Sequence, residues 1–130
     1  MKIIEGKNAP MGRIASFAAK EALKGEEIAV INCNEVLITG NKRHFQKKQL
    51  ERKKRIGSTQ QGPKISMVPH MIVKRAIRGM LPTHRHGRGK VAFGKIRCYS
   101  RTPRELEGKE TISISKTVPR KSVRIKEVSK

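Results

Sequence analysis

The sequence predicts an α/β fold built on a small parallel sheet. Two short apolar runs, 27–32 and 36–39, are typical of strands that are covered on both faces. An amphipathic helical pattern over 11–23 lies between the first run and a strand candidate at 2–5. Strand, helix and strand within about 30 residues favour a right-handed βαβ unit. At 130 residues the chain is long enough for one domain with a sizeable core.

The next helices differ in how much they can bury. The helix over 11–23 has a proline, Pro10, where a helix can begin, and Gly25 follows as a C-terminal cap. A second helix is predicted over 42–55, where Phe45 and Leu50 are the only large apolar residues among eight cations. This helix is therefore expected to bury little of its surface.

A third helix is predicted from Pro69, and Pro82 stops it. Its apolar residues recur at the spacing of one buried face, namely Ile72, Val73, Ala76, Ile77 and Met80. Its cations, Lys74, Arg75 and Arg78, fall on the other face. A glycine-punctuated basic loop over 83–90, a short helical turn at 91–93 and a strand at 95–99 are predicted to follow.

The pattern weakens after Pro103. Residues 111–115 alternate like an edge strand, and 118–130 are predicted to be a basic tail. The predicted organisation is one α/β domain over 1–104, in which 42–68 form a basic helix and loop, followed by a basic C-terminal extension over 105–130.

The charge distribution is the main indication of function. The net charge is +21, and residues 36–104 hold nineteen Lys or Arg against one acid, Glu51. Residues 1–35 are neutral, with five of each sign. Self-repulsion at this charge favours a polyanionic partner, with nucleic acid ahead of a membrane surface. No apolar run is long enough to span a membrane, and the N-terminus lacks the layout of a secretory signal. Two cysteines predict a reducing cytoplasm rather than a disulfide framework.

Motifs for catalysis, cofactors or metals are weak. His84 and His86 lack nearby Cys or carboxylate partners and are surrounded by cations, so RNA contact is the preferred interpretation over metal binding. Cys33 and Cys98 are interpreted as small residues packed next to strands. The turn before Arg13 has one glycine rather than the three of a dinucleotide-binding turn. The sequence therefore predicts no cofactor, no metal, no small-molecule substrate and no enzymatic activity.

Four blocks in order resemble the large-subunit ribosomal protein thirteen family. They cover most of residues 3–99 and are Asn8-Ala9-Pro10-Met11-Gly12-Arg13-Ile14-Ala15-Ser16, Val30-Ile31-Asn32, Ile38-Thr39-Gly40-Asn41 and Ala76-Ile77-Arg78-Gly79-Met80-Leu81-Pro82. The short N-terminus and the basic segment 42–55 are more similar to the archaeal and eukaryotic branch. The resemblance implies a three-layer α/β/α fold around a four-stranded, mainly parallel sheet. It also implies large-subunit rRNA and neighbouring large-subunit ribosomal proteins as partners in the cytoplasm, with no catalysis and an early role in assembly.

The expected RNA-binding surface combines the start of the first helix, the basic second helix, and the stretch from the third helix to the strand at 95–99. Scarce aromatic residues favour recognition of folded RNA by its shape and backbone over stacking of unpaired bases. Two alternatives stay open, an RNA-modifying or nucleotide-dependent enzyme and a chromatin-type DNA-binding protein. The predicted contact residues are Arg13, Asn41, Lys42, Arg43, Lys47, Lys48, Arg52, Lys53, Lys54, Arg55, Lys74, Arg75, Arg78, His84, Arg85, His86, Arg88, Lys90, Lys95 and Arg97.

Overall fold

A computed structural model describes residues 1–55, 64–114 and 117–129. The predicted loop at 56–69 therefore lies partly outside the described residues. The elements, in chain order, are β1 (Lys2–Glu5), α1 (Met11–Leu23), β2 (Ile28–Ile31), β3 (Leu37–Thr39), α2 (Lys42–Lys54), α3 (Pro69–Met80), α4 (Gly87–Gly94), β4 (Ile96–Cys98), β5 (Ile112–Ser113), β6 (Ser122–Arg124) and α5 (Ile125–Val128). Short 3₁₀ turns lie at Cys33–Glu35 and Arg104–Leu106.

The main sheet has four strands in the order β4-β2-β1-β5, and all three neighbouring pairs are parallel. Ile4 pairs with Val30 across β1 and β2, and Ile28 pairs with Ile96 across β2 and β4. The α/β class and the β1–α1–β2 unit are thus confirmed. β2 lies inside the sheet and all four of its residues are buried. Both faces of this strand are covered, so its side chains are apolar in both directions.

Successive side chains in the strands point to opposite faces of this sheet. Ile4, Val30 and Ile96 lie in the main core with α1 and α3, which pack against each other. Ile3 and Ile31 lie on the other face and form a smaller cluster with Leu106 of the second 3₁₀ turn. The layer on that side is therefore thinner than the helical layer.

The prediction that residues 36–39 join a parallel sheet is wrong. β3 instead pairs antiparallel with β6 in a separate two-stranded sheet. The apolar run is buried because the C-terminal segment covers it, and the Ile125 N–H donates to the Val36 carbonyl at 2.9 Å. A run of buried apolar residues specifies burial but not the strand that provides it.

The prediction of a basic tail is wrong for residues 122–128. They form β6 and α5, and the side chains of Ile125 and Val128 are 0% and 2% exposed. Ile125 belongs to the same core cluster as Ile4 and Ile77. Since lysine and arginine alternate with these apolar residues, the composition of the segment conceals its packing.

The region after α3 also differs from the expectation. The predicted loop over 83–90 is wrong from Gly87 onward, where α4 begins. A Cβ atom on Gly89 would lie 2.2 Å from the Pro82 carbonyl oxygen and 2.4 Å from that of Thr83. Glycine is therefore required for the first turn of α4 to contact this turn of backbone. Met80, predicted to be buried, is 46% exposed because α3 ends there.

Candidate nucleic-acid interface

Helix α2 carries cations around most of its circumference. The Asn41 side-chain oxygen accepts a hydrogen bond from the Arg43 N–H at 3.0 Å, which caps the helix. Gln49 is its single buried residue. Lys42 forms an ion pair with Glu127 of α5 at 3.7 Å, and α2 packs against α5. α2 is thus held by α5 and by Phe45, which packs against the main core cluster, and it presents most of its cations to solvent.

A groove with two clefts separates α2 from α3. The first cleft, of about 340 Å³, is lined by residues of both helices together with Met11 and residues 38–41. The second, of about 620 Å³, lies between the end of α2, residues 64–66 and α3. Arg52 of α2 and Arg75 of α3 line both clefts, so the two clefts adjoin at these two side chains. We refer to it below as the α2–α3 groove.

Arg75 is the most constrained cation of the groove. Its Nη2 atom donates to the Ser66 carbonyl oxygen at 2.6 Å, which fixes the guanidinium on the segment before α3. Partial burial, and then the like charges of Arg78 and Arg52, lower the pKa of Arg75. The lowered pKa shows that this charge is held in an unfavourable environment, which an anion in the groove would improve.

A small aromatic cluster positions Lys74 in the same groove. The Lys74 ammonium lies 5.1 Å from the centroid of the Phe93 ring, within the range of a cation–π contact. The His84 ring meets Phe93 edge-on at 6.2 Å. His84 therefore contacts the groove through Phe93 of α4, and this packing ties α4 to the basic face of α3.

All twenty predicted contact residues are at least partly exposed. Arg52, Lys74, Arg75, His84 and Lys95 are half-buried, and the others are exposed. The structure brings Lys48, Arg52, Lys74, Arg75 and Arg78 together along the groove.

A second set of predicted residues lies elsewhere. Arg13 is on the first turn of α1. The Lys95 ammonium donates to the Gly25 carbonyl oxygen at 2.7 Å. Arg97 pairs with Ala29, whose side chain lies on the sheet face opposite the helical layer. The predicted surface is therefore divided, and Arg97 is separated by the sheet from the cations of α3.

Two basic side chains of the groove, Lys64 and His44, were not among the predicted contact residues. Lys64 lines the larger cleft, and His44 lines the smaller one. Lys64 stood in a stretch interpreted as a loop, where no periodic pattern indicates the direction of a side chain. The acid-free composition around it was the only signal that could have included it.

The cysteines do not form a reactive site. Cys33 is 0% exposed, and its thiol pKa is raised by the hydrogen bond to Cys98 and by burial, so the thiol stays protonated. Among residues 1–55, 64–114 and 117–129 we find no group of three His, Cys, Asp or Glu side chains suited to a metal ion. Within the same ranges, every helix is too short or too polar to cross a bilayer.

Comparison with known proteins agrees with the fold and the blocks described above. The family model for ribosomal protein L13 matches residues 1–105. "Large ribosomal subunit protein uL13" of Methanopyrus kandleri is 43% identical over 105 residues, which cover 81% of this chain and 65% of the relative. The proteins of the same name from Methanosphaera stadtmanae and Methanococcus maripaludis are 35% and 47% identical, over 98% and 75% of this chain and 94% and 72% of their own lengths. A model match across most of the chain, together with such relatives, shows that the chain belongs to the ribosomal protein L13 family.

Proposed function

We propose that this protein is a non-catalytic structural component of the large ribosomal subunit in the cytoplasm. It binds folded large-subunit rRNA, contacts neighbouring large-subunit ribosomal proteins and joins the subunit early in assembly. Family membership supports the ribosomal role, because the archaeal relatives carry the name of a large-subunit protein. We also propose that residues 1–104 form the main part of the domain and that the extension from 105 onward completes it, since β5 joins the main sheet and Ile125 lies in the main core cluster.

The α2–α3 groove is the observation that carries the RNA-binding proposal. Two helices turn cations toward a shared channel, and Glu51 is the single acid in residues 36–104. Lys and Arg contacts to phosphates release condensed counterions, and this release supplies much of the affinity of a protein for nucleic acid. A groove between two helices can hold one sugar–phosphate backbone along its length. A flat cationic surface, as in a general polyanion binder, would not select such a backbone by its shape.

The lining of the groove favours binding over chemistry. The described residues that line the two clefts carry cations, amides, hydroxyls and apolar side chains, together with the imidazole of His44 and no carboxylate. His44 is the one candidate general base among them, and no described residue forms a hydrogen bond that would orient its ring. An RNA-modifying enzyme would need a general base within hydrogen-bond reach of its substrate. This supports the structural role over the enzymatic alternative.

The first test is sedimentation of the endogenous protein through a sucrose gradient after a high-salt wash. We expect it to stay with the large subunit, since a protein held by many buried phosphate contacts dissociates slowly. Release into the soluble fraction would indicate an accessory factor instead.

The second test compares deproteinised large-subunit rRNA with duplex DNA over a salt series. We expect tighter binding of the rRNA at every salt concentration, and equal affinity for the two would favour the chromatin-type alternative. Replacing Lys74, Arg75 and Arg78 together by Ala should weaken rRNA binding and reduce the salt dependence. An unchanged affinity in this variant would refute the placement of the surface on α3.

A further inference from the structure

We propose that Arg52 and Arg75 grip the same RNA backbone phosphate from opposite walls of the α2–α3 groove. The inference rests on the proposed function, since it specifies how that surface holds the RNA. In the groove two arginines would share one phosphate. On the outer face of α2, by contrast, each cation would contact a phosphate of its own. The RNA would thereby add a link between α2 and α3, which line the groove on its two sides.

The position of the two arginines carries the argument. Arg52 lies in the last turn of α2 and Arg75 in the middle of α3, yet both line the same two clefts. Both side chains are half-buried, whereas Arg43 and Lys47 on the outer face of α2 are exposed. Both arginines are therefore available to an anion that enters the groove, and neither is spread over the outer face of its helix.

The hydrogen-bonding capacity of Arg75 fits this role. The guanidinium has five N–H donors in a planar fork, and one of its terminal nitrogens already donates to the Ser66 carbonyl oxygen. This bond holds the plane of the group in place and leaves donors on the other nitrogens for an anion. An arginine fixed in this way loses little side-chain entropy when it binds a phosphate.

The electrostatics of the groove favour a bridging anion. Arg78 and Arg52 both destabilise the charged form of Arg75, so each of them lies close enough to Arg75 to repel it. Lys64 and Lys74 also line the larger cleft, and among the described residues its lining has no carboxylate. A phosphate between the walls would attract all of these cations and offset their repulsion. The described residues of the cleft contain no carboxylate that does this.

A double-mutant cycle on the intact chain tests the proposal. Binding of deproteinised large-subunit rRNA would be measured for Arg52→Gln, Arg75→Gln and the double variant, with circular dichroism melting to confirm the fold. We expect each single variant to weaken binding about tenfold or more, as for a lost charged hydrogen bond. The affinity of the double variant for the rRNA should be only about two- to threefold lower than that of the single variant that binds less tightly. This is because both changes remove the same contact.

The matched control replaces Arg43, an exposed arginine on the same helix. Arg43→Gln removes the same charge from the outer face of α2, so its effect should multiply with that of Arg75→Gln. Multiplicative effects in the Arg52/Arg75 cycle as well would overturn the shared grip. Single variants within about twofold of the wild type would overturn any role of the groove, while leaving rRNA binding by the wild type, and hence the proposed function, intact.

Ethylation interference on the rRNA locates the phosphate. Ethylation at several backbone positions should block the wild-type protein, and one of these positions should no longer interfere in either single variant. Loss of interference at two different positions would show that the arginines hold separate phosphates. Failure of the wild type to prefer rRNA over duplex DNA would instead overturn the proposed function itself.

Discussion

Ile125 should be as important for stability as a residue of the central sheet, although it lies only five residues before Lys130. Its side chain is 0% exposed and belongs to the main core cluster. Ile125→Ala removes three carbon groups, each contributing about 0.8 kcal/mol of transfer free energy. The cavity left behind adds to this loss, so we expect a decrease of about 2.5–4 kcal/mol in the free energy of unfolding.

Urea unfolding followed by circular dichroism at 222 nm measures this loss. Val118→Ala is the matched control, since Val118 is 53% exposed and its truncation should change stability by less than about 0.5 kcal/mol. Ile77→Ala is the positive comparison, because Ile77 is 0% exposed in α3 within the same cluster. Ile125→Ala and Ile77→Ala should lose comparable stability with unchanged m-values.

A loss below about 0.5 kcal/mol for Ile125→Ala would refute the packing argument. The C-terminal segment would then behave as the basic tail that its composition indicates. A normal loss for Ile77→Ala in the same experiment would show that the assay can detect core truncations.

Three further predictions concern local structure. Gly89→Ala should lower the melting temperature, because the added Cβ would clash with two backbone carbonyl oxygens. Gly79 of α3 faces open space, so Gly79→Ala should raise the free energy of unfolding by about 0.5 kcal/mol. Hydrogen bonds from Lys2 and Lys24 lower the pKa of Glu21 to about 2. Urea midpoints should therefore fall as the pH drops from about 4.5 towards 2, and Glu21→Gln should remove this part of the pH dependence. Asn41→Ala should cost about 1 kcal/mol through loss of the α2 cap, seen as reduced helicity and a lower urea midpoint.

Local patterns in the sequence are sufficient to predict the elements that follow one another closely in the chain. The residues of α1 and β2 follow the expected spacing, and the run from β1 to β2 forms the predicted parallel pair. The cations of α2 and α3 were also identified correctly as exposed or half-exposed, because a side chain that carries charge without a partner avoids burial. The contacts of these cations with RNA stay a prediction.

Tertiary structure alone decided which strand pairs with β3, that Ile125 belongs to the core, and that Arg52 and Arg75 line the same clefts. These outcomes depend on contacts between residues far apart in the chain, and the spacing of apolar residues carries information only about which face is buried. The segment 122–128 shows the difference most clearly. By itself, the sequence determined a strongly basic protein in which 35% of the residues are hydrophobic. The three-dimensional packing determined which of its cations lie together on the surface.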